Sequence, residues 1–181
     1  MPKSKKVLLG VTGSIAAYKA CDVLRRLQDK GYEVAVLMTR EAERFVTPLT
    51  FESLAGQRVY RDMFSDGENS WEMSHIKLCK EAACLLIAPA TANTIGKLAN
   101  GIADDMLSCT AMVMGSRVLI APAMNDEMFA NKIVQQNCEK LTKVGVRFIE
   151  PIKGRLACGT LGLGHLADVE DIVKAVVAVA K

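Results

Sequence analysis

The chain has 181 residues, half of them hydrophobic, and a formal net charge of +3. That length suits one average domain, which buries roughly 70% of the surface its unfolded chain exposes and needs no disulfide staple. Basic residues are scattered apart from Lys3, Lys5 and Lys6, and there are only five Phe, three Tyr and one Trp. This excludes a dedicated nucleic-acid binder, whose site needs a strong basic field and stacking aromatics. The apolar content excludes disorder, and the core must come from Ala, Val, Leu, Ile and Met.

Six cysteines, Cys21, Cys79, Cys84, Cys109, Cys138 and Cys158, form no CxxC pair, and two histidines leave few further ligands for zinc. No metal site is expected. The first apolar run gives way to Gly, Thr and Ser too early for a signal peptide. The longest apolar stretch, 82–92, is interrupted by Pro89 and Thr91 and is too short to cross a bilayer. A reduced, cytoplasmic protein without a membrane partner is the expectation.

In chain order, residues 7–11 (VLLGV) read as a strand that runs through Thr12-Gly13-Ser14 into a helix over 15–30. A second strand, 33–38 (EVAVLM), ends at Thr39. After an irregular polar stretch at 65–70 come a helix over 74–83 and a strand at 85–88 (LLIA). A helical region over 94–114, broken near Gly101, precedes a strand at 118–121 (VLIA). A helix over 125–144 and a strand at 146–149 (VRFI) follow. Residues 154–164 carry four glycines in eleven positions and read as a mobile loop. The last helix, 169–180, takes Asp168 as its N-cap. Continuous apolar strands are those of a parallel sheet covered on both faces, so the alternation predicts right-handed crossovers and a doubly wound α/β sandwich, one domain over 1–181.

Ligands in such sheets bind beyond the carboxyl ends of the strands. Two of those ends, IAPATAN (87–93) and IAPAMN (120–125), are near-copies. In each, the proline should stop the ladder, a small residue admits a ligand to the backbone, and an Asn stands at the helix entrance. Gly10 and Gly13 are one residue too widely spaced for GxGxxG, and the second strand ends in Thr39-Arg40 without an acid, so NAD is disfavoured and Arg40 makes only a weak case for NADP. No GxxxxGK[ST] is present. What remains is a helix N-terminus with Gly13 and Ser14, plus hydroxyls at Thr39 and Thr94. That set suits one phosphate monoester, as FMN carries, with ordinary capping by Ser and Thr as the alternative.

GSIAAYK (13–19), SHI (74–76), PATANT (89–94), PAMNDEMF (122–129) and ACG with its glycine-rich sequel (157–164) occur in this order in one family. The chain resembles the homo-oligomeric flavin-containing cysteine decarboxylases, and within them the phosphopantothenoylcysteine decarboxylases of coenzyme A biosynthesis. The resemblance extends from about Lys6 to His165. It implies a Rossmann-like, flavodoxin-like three-layer sandwich with FMN as cofactor. It assigns flavin contact to Gly13, Ser14 and Ile15, to Thr91, Ala92, Asn93 and Thr94, and to Ala123, with Thr39 near the phosphate. It assigns catalysis to His75, Asn125 and Cys158, and substrate contact to Asn125, Met124, Ala157 and Cys158. It also implies a trimer or a dodecamer of trimers, with a phosphopantothenate–cysteine ligase on a separate chain or fused to this one.

The implied chemistry makes physical sense. Loss of CO₂ from a cysteine carboxylate leaves a carbanion with nothing to stabilise it; oxidation to a thioaldehyde first supplies the electron sink. The Cys158 thiol, in a closing loop, would reprotonate carbon and help exclude water. Phe129 stands where the family often has Trp, His165 where it often has Arg, and Ala167-Asp168 where Glu-Pro often follows. Phe129 should preserve packing, while the last two departures bear on recognition of the substrate's phosphate, and so on substrate identity more than on reaction type. Decarboxylation of a peptide's C-terminal cysteine and a non-catalytic regulatory flavoprotein are the rival readings. The other five cysteines read as packing, and Asp104-Asp105 as helix-start acids rather than a metal site. His165 receives no role.

Overall fold

A computed structural model describes residues 5–63, 74–155 and 159–180, apart from the side chains of residues 74 and 75. Five parallel strands form the central sheet: β1 (Lys6–Val11), β2 (Glu33–Met38), β3 (Ala82–Ala90), β4 (Val118–Pro122) and β5 (Arg147–Phe148). Their order is β2-β1-β3-β4-β5. Side chains alternate across a strand, and both faces of this sheet are apolar. Val7, Leu9 and Val11 of β1 and Leu86 of β3 enter one core, with α1 (Lys19–Asp29), α2 (Pro48–Ala55) and α8 (Val169–Val179). Leu8, Leu85 and Ile87 enter the other, with α3 (Ser74–Glu81), α4 (Ala92–Ala99), α5 (Met106–Met114) and α7 (Lys132–Lys143). The sequence reading of a doubly wound three-layer α/β sandwich is therefore realised.

Helix α1 shows how sequence selects a face. Ala20, Val23, Leu24 and Leu27 fall on one side and are buried, while Asp22 and Arg26 pair at 3.2 Å on the outside. Within the predicted helix 15–30, Ile15–Tyr18 is a tighter 3-10 turn that leads into α1. The predicted helix 125–144 is two: α6 (Asp126–Ala130) and α7, separated by Asn131, whose Oδ1 accepts the Ile133 N–H at 2.9 Å and restarts the helix. Helix α2 went unread, although Pro48 in its first turn and Gly56 just past its end are ordinary boundary signals.

Two expectations are corrected. Pro89 does not end β3: the register shifts after Ile87, and pairing resumes at Ala90 opposite Pro122. The stretch 154–164 is not simply a loop, because β6 (Ile152–Arg155) and β7 (Leu161–His165) form an antiparallel hairpin around residues 156–158, which lie outside the described residues. Gly154, Gly162 and Gly164 serve close packing here, while Gly159 takes a positive φ of 91° in open space. A Cβ on Gly164 would collide with the Met124 carbonyl oxygen, so β7 lies flush on the segment that enters α6. The irregular stretch 65–70 also lies outside the described residues. No helix among those described is long and apolar enough to cross a membrane.

Leu86 is fully buried on a strand flanked by β1 and β4. Leu86→Ala is expected to lower the unfolding free energy by about 2–5 kcal/mol. Urea titration followed by circular dichroism should show this as a lower midpoint with an unchanged slope.

Candidate functional site

The carboxyl ends of β1, β3 and β4 open onto a cavity of about 770 Å³. Strand order reverses between β1 and β3, and the crevice at such a reversal is where open α/β sheets bind ligands. Gly13, Ser14 and Ile15 line it after β1, Thr39 after β2, Thr91, Ala92, Asn93 and Thr94 after β3, and Ala123, Met124 and Asn125 after β4. The structure thus brings together every described residue for which flavin or substrate contact was expected. Ala157, Cys158 and the His75 side chain lie outside the described residues, although residue 75 belongs to α3.

A buried hydroxyl holds the crevice together. Thr12 Oγ1 donates to the Pro89 carbonyl at 2.7 Å and accepts the Thr91 N–H at 3.1 Å. Gly13 then allows the turn after β1 to approach the segment after β2, for a Cβ there would strike Glu41 Cβ. The polar side chains along the rim act as caps. Ser14 Oγ accepts the Ala16 N–H at 3.4 Å, Thr39 Oγ1 that of Ala42 at 3.4 Å, and Thr91 Oγ1 that of Thr94 at 3.3 Å. Asn125 Oδ1 accepts from Glu127 at 3.0 Å and Met128 at 3.3 Å, which leaves its NH₂ as the donating end. Capping and ligand contact are compatible: a hydroxyl that accepts an amide N–H still carries a proton to donate. The first-turn amides of α4, at Ala92 and Asn93, have no preceding helical carbonyl and suit an anion or a flavin carbonyl.

The cavity's cations are not equivalent. Lys97 is held by Asp104 at 2.7 Å and Asp105 at 3.0 Å. Asp105 caps α5, accepting the Ser108 N–H at 2.7 Å, while Ser108 Oγ accepts the Asp105 N–H at 3.1 Å. Burial pushes the Asp105 carboxyl up, but the Ser108 and Lys97 hydrogen bonds outweigh it and hold the group below its ordinary range. These two acids are therefore helix-start groups tied to a lysine, as the sequence suggested, and no cluster among the described residues could hold a metal. Lys19, Arg155 and His165 also line the cavity and were not assigned there from sequence. Lys19 lies inside the GSIAAYK motif, which was the available signal. The five described cysteines are free, and burial pushes the Cys84 thiol up to about 11, as expected of packing residues.

A family model described as Flavoprotein matches residues 1–181. The "Coenzyme A biosynthesis bifunctional protein CoaBC" of Bacillus subtilis is 48% identical over 174 residues, covering 96% of this chain and 43% of that protein. The chain thus spans less than half the length of that relative. The "Probable phosphopantothenoylcysteine decarboxylase" of Streptococcus mutans is 43% identical over 173 residues, covering 94% of this chain and 96% of that protein. Among solved structures, a PPC decarboxylase with a cysteine-to-serine change, complexed with pantothenoylaminoethenethiol, matches with a TM-score of 0.85 at 32% identity and covers 96% of each chain.

Thr12→Val keeps the shape but leaves the Pro89 carbonyl and Thr91 N–H without a partner. It is expected to cost about 1–3 kcal/mol in chemical denaturation, with Thr12→Ser restoring most of it. Because the Asp105 carboxyl is depressed in the folded state, its charge stabilises the fold above the ordinary aspartate range and that contribution is lost as pH falls through it. Asp105→Asn, which keeps a capping oxygen, should flatten the loss of stability below about pH 4 in melts across acidic pH.

Proposed function

The chain belongs to the flavoprotein family, and on that premise we propose that it is an FMN-dependent decarboxylase. It converts 4′-phosphopantothenoylcysteine to 4′-phosphopantetheine in coenzyme A biosynthesis. The observation that carries this reading is the convergence of Gly13–Ile15, Thr91–Thr94 and Ala123–Asn125 on one strand-end cavity. That cavity fits a mononucleotide. It offers a glycine-permitted close turn, buried hydroxyls at Ser14, Thr39 and Thr94, small Ala123, and space of about 770 Å³ for flavin and substrate together.

In this reading Gly13, Ser14, Ile15 and Thr39 hold the FMN phosphate end, and Thr91, Ala92, Asn93, Thr94 and Ala123 hold the ring. Bound FMN supplies reversible two-electron oxidation at the carbon bearing the substrate's sulfur, which creates the electron sink for loss of CO₂. The Asn125 NH₂, aimed by the two amides that its Oδ1 caps, binds the substrate carboxylate. Met124 and Ala157 contact substrate, His75 acts at the reacting centre, and Cys158 protonates carbon before the final reduction. The β6–β7 hairpin is packed on the approach to α6 and excludes water, and Cys158 falls in the sequence between its two strands.

Residues 1–181 act as one FMN-binding unit in the cytoplasm. Ile15 and Tyr18 line the cavity yet are 57% and 60% exposed, which supports a wall completed by further copies in a trimer, alone or within a dodecamer. The ligase that makes the substrate lies on another chain or on the remainder of a longer one.

The deciding experiment offers the protein phosphopantothenoylcysteine and, separately, a peptide ending in cysteine, and weighs the products. A product lighter by CO₂ from the first supports the proposal; turnover of the peptide alone overturns it. Purified protein should be yellow, and protein that neither carries nor rebinds flavin counts against it. Cys158→Ser should still release CO₂ but stall before the final reduction, at least about a hundredfold below wild type in phosphopantetheine formed. Light scattering should show trimers or larger; an active monomer would refute the shared wall.

A further inference from the structure

In the reading above, the flavin ring rests on Thr91–Thr94, at the start of α4. Lys97 stands four residues after Asn93 on the same helix face, and both line the cavity. Its ammonium therefore adjoins the place assigned to the ring, whereas Glu41, against Gly13, lies at the phosphate end. The link between α4 and α5 is shaped to meet that ammonium. Gly101 takes a positive φ of 69°, and the Ile102 N–H turns back to the Lys97 carbonyl at 2.9 Å. The reversed chain brings Asp104 to 2.7 Å and Asp105 to 3.0 Å from Lys97 Nζ.

Two carboxylates on one ammonium are more than a link between two helices requires. Asp105 alone, fixed as the cap of α5 by Ser108 and bonded to Lys97, already joins α4 to α5. Asp104 caps no helix among the described residues, and its side chain is 57% exposed. What Asp104 adds is charge: it turns a neutral pair into a cluster with a net negative charge. The Asp104 hydrogen bond, ahead of burial, holds the Lys97 ammonium above its ordinary range, so the lysine stays charged.

A hydride taken from the carbon that bears sulfur carries two electrons and one proton. The ring thus gains one negative charge until the hydride goes back in the final reduction. A bare ammonium beside the ring would favour the reduced form and hinder that return. Carboxylates without the ammonium would hinder the uptake. We propose that Lys97, offset by Asp104 and Asp105, sets the reduction potential of the bound flavin so that it both takes and gives back the same hydride. The inference rests on the decarboxylase reading and adds a redox-tuning group to it.

The test measures the flavin potential of the FMN-loaded protein by dye equilibration, without substrate, in wild type, Lys97→Met and Asp104→Asn. Lys97→Met should weaken binding of reduced relative to oxidised FMN about tenfold, a potential lower by about 30 mV for a two-electron couple. Asp104→Asn should raise the potential, by less, because its carboxylate is the more exposed charge. Its yellow colour should also stay bleached for longer during turnover, as return of the hydride slows. Potentials unmoved in both variants, or moved in the same sense, would overturn the inference, since a merely structural link would lower only their melting temperatures. If Lys97→Met does not fold or hold FMN, Asp104→Asn, outside the cavity lining, carries the expectation alone. Unmoved potentials in an active decarboxylase overturn this inference and leave that reading intact. The expected shifts in a protein that releases no CO₂ overturn that reading and uphold the tuning.

Discussion

The Thr12 hydroxyl is the interaction on which the site depends. Backbone pairing between β1 and β3 stops at Gly10 opposite Ile87, and β3 shifts register just beyond. The two strands would otherwise part there, at the place where strand order reverses. Thr12 replaces the missing ladder rung with a side chain, satisfying one acceptor and one donor of the neighbouring strand's continuation. Buried backbone groups must be paired, so this bond fixes where Thr91 stands and hence where α4 begins. The width of the crevice follows from it.

From that point the rim is built by helix capping. Ser14, Thr39, Thr91 and Asn125 each accept an N–H at the start of the following helical turn or helix. A sequence that must cap several helix entrances on one edge of a sheet places hydroxyls and amides together whether or not a ligand is bound. Capping also makes them rigid. The capping oxygens are used internally, and beside them the first-turn backbone amides of α4 and the amide end of Asn125 add donors to a rim that also carries the carboxylates of Glu41 and Asp105. Those donors favour oxygen-rich anionic ligands, and a carboxylate or a phosphate meets them better than a cation would.

The strands were legible because their runs are apolar without interruption, which only burial on both faces explains. The strand-end motifs were legible because small residues, proline and Asn follow those runs directly. The hairpin was not, since glycine reads as freedom when only the chain is seen. At Gly164 the missing Cβ instead permits contact with the Met124 carbonyl. Nor could the Lys19–His165 contact be read, because its partners are 146 residues apart and meet only when β7 folds back across the cavity. His165 departs from the family pattern in sequence; in the fold its ring sits beside Gly154, with Nε2 3.3 Å from Lys19 Nζ and Nδ1 2.9 Å from the Leu166 carbonyl oxygen.

The scarcity of aromatic residues follows from the same architecture. Strands β3 and β4 taper from large to small along their length: Leu85, Leu86 and Ile87 give way to Ala88 and Ala90, and Leu119 and Ile120 to Ala121 and Ala123, all buried. Large aliphatic side chains fill the middle of the sandwich, where helices cover both faces. Toward the carboxyl ends the strand side chains shrink to alanine, and Ala123, just past β4, reaches the wall of the cavity. An aromatic residue at Ala123 would take space from that cavity, whereas at fully buried Ala88, Ala90 or Ala121 it would overpack the core. The space of about 770 Å³ thus opens where the strands hand over to their helices, with small Ala92 and Ala123 and the glycine at 13 on its wall.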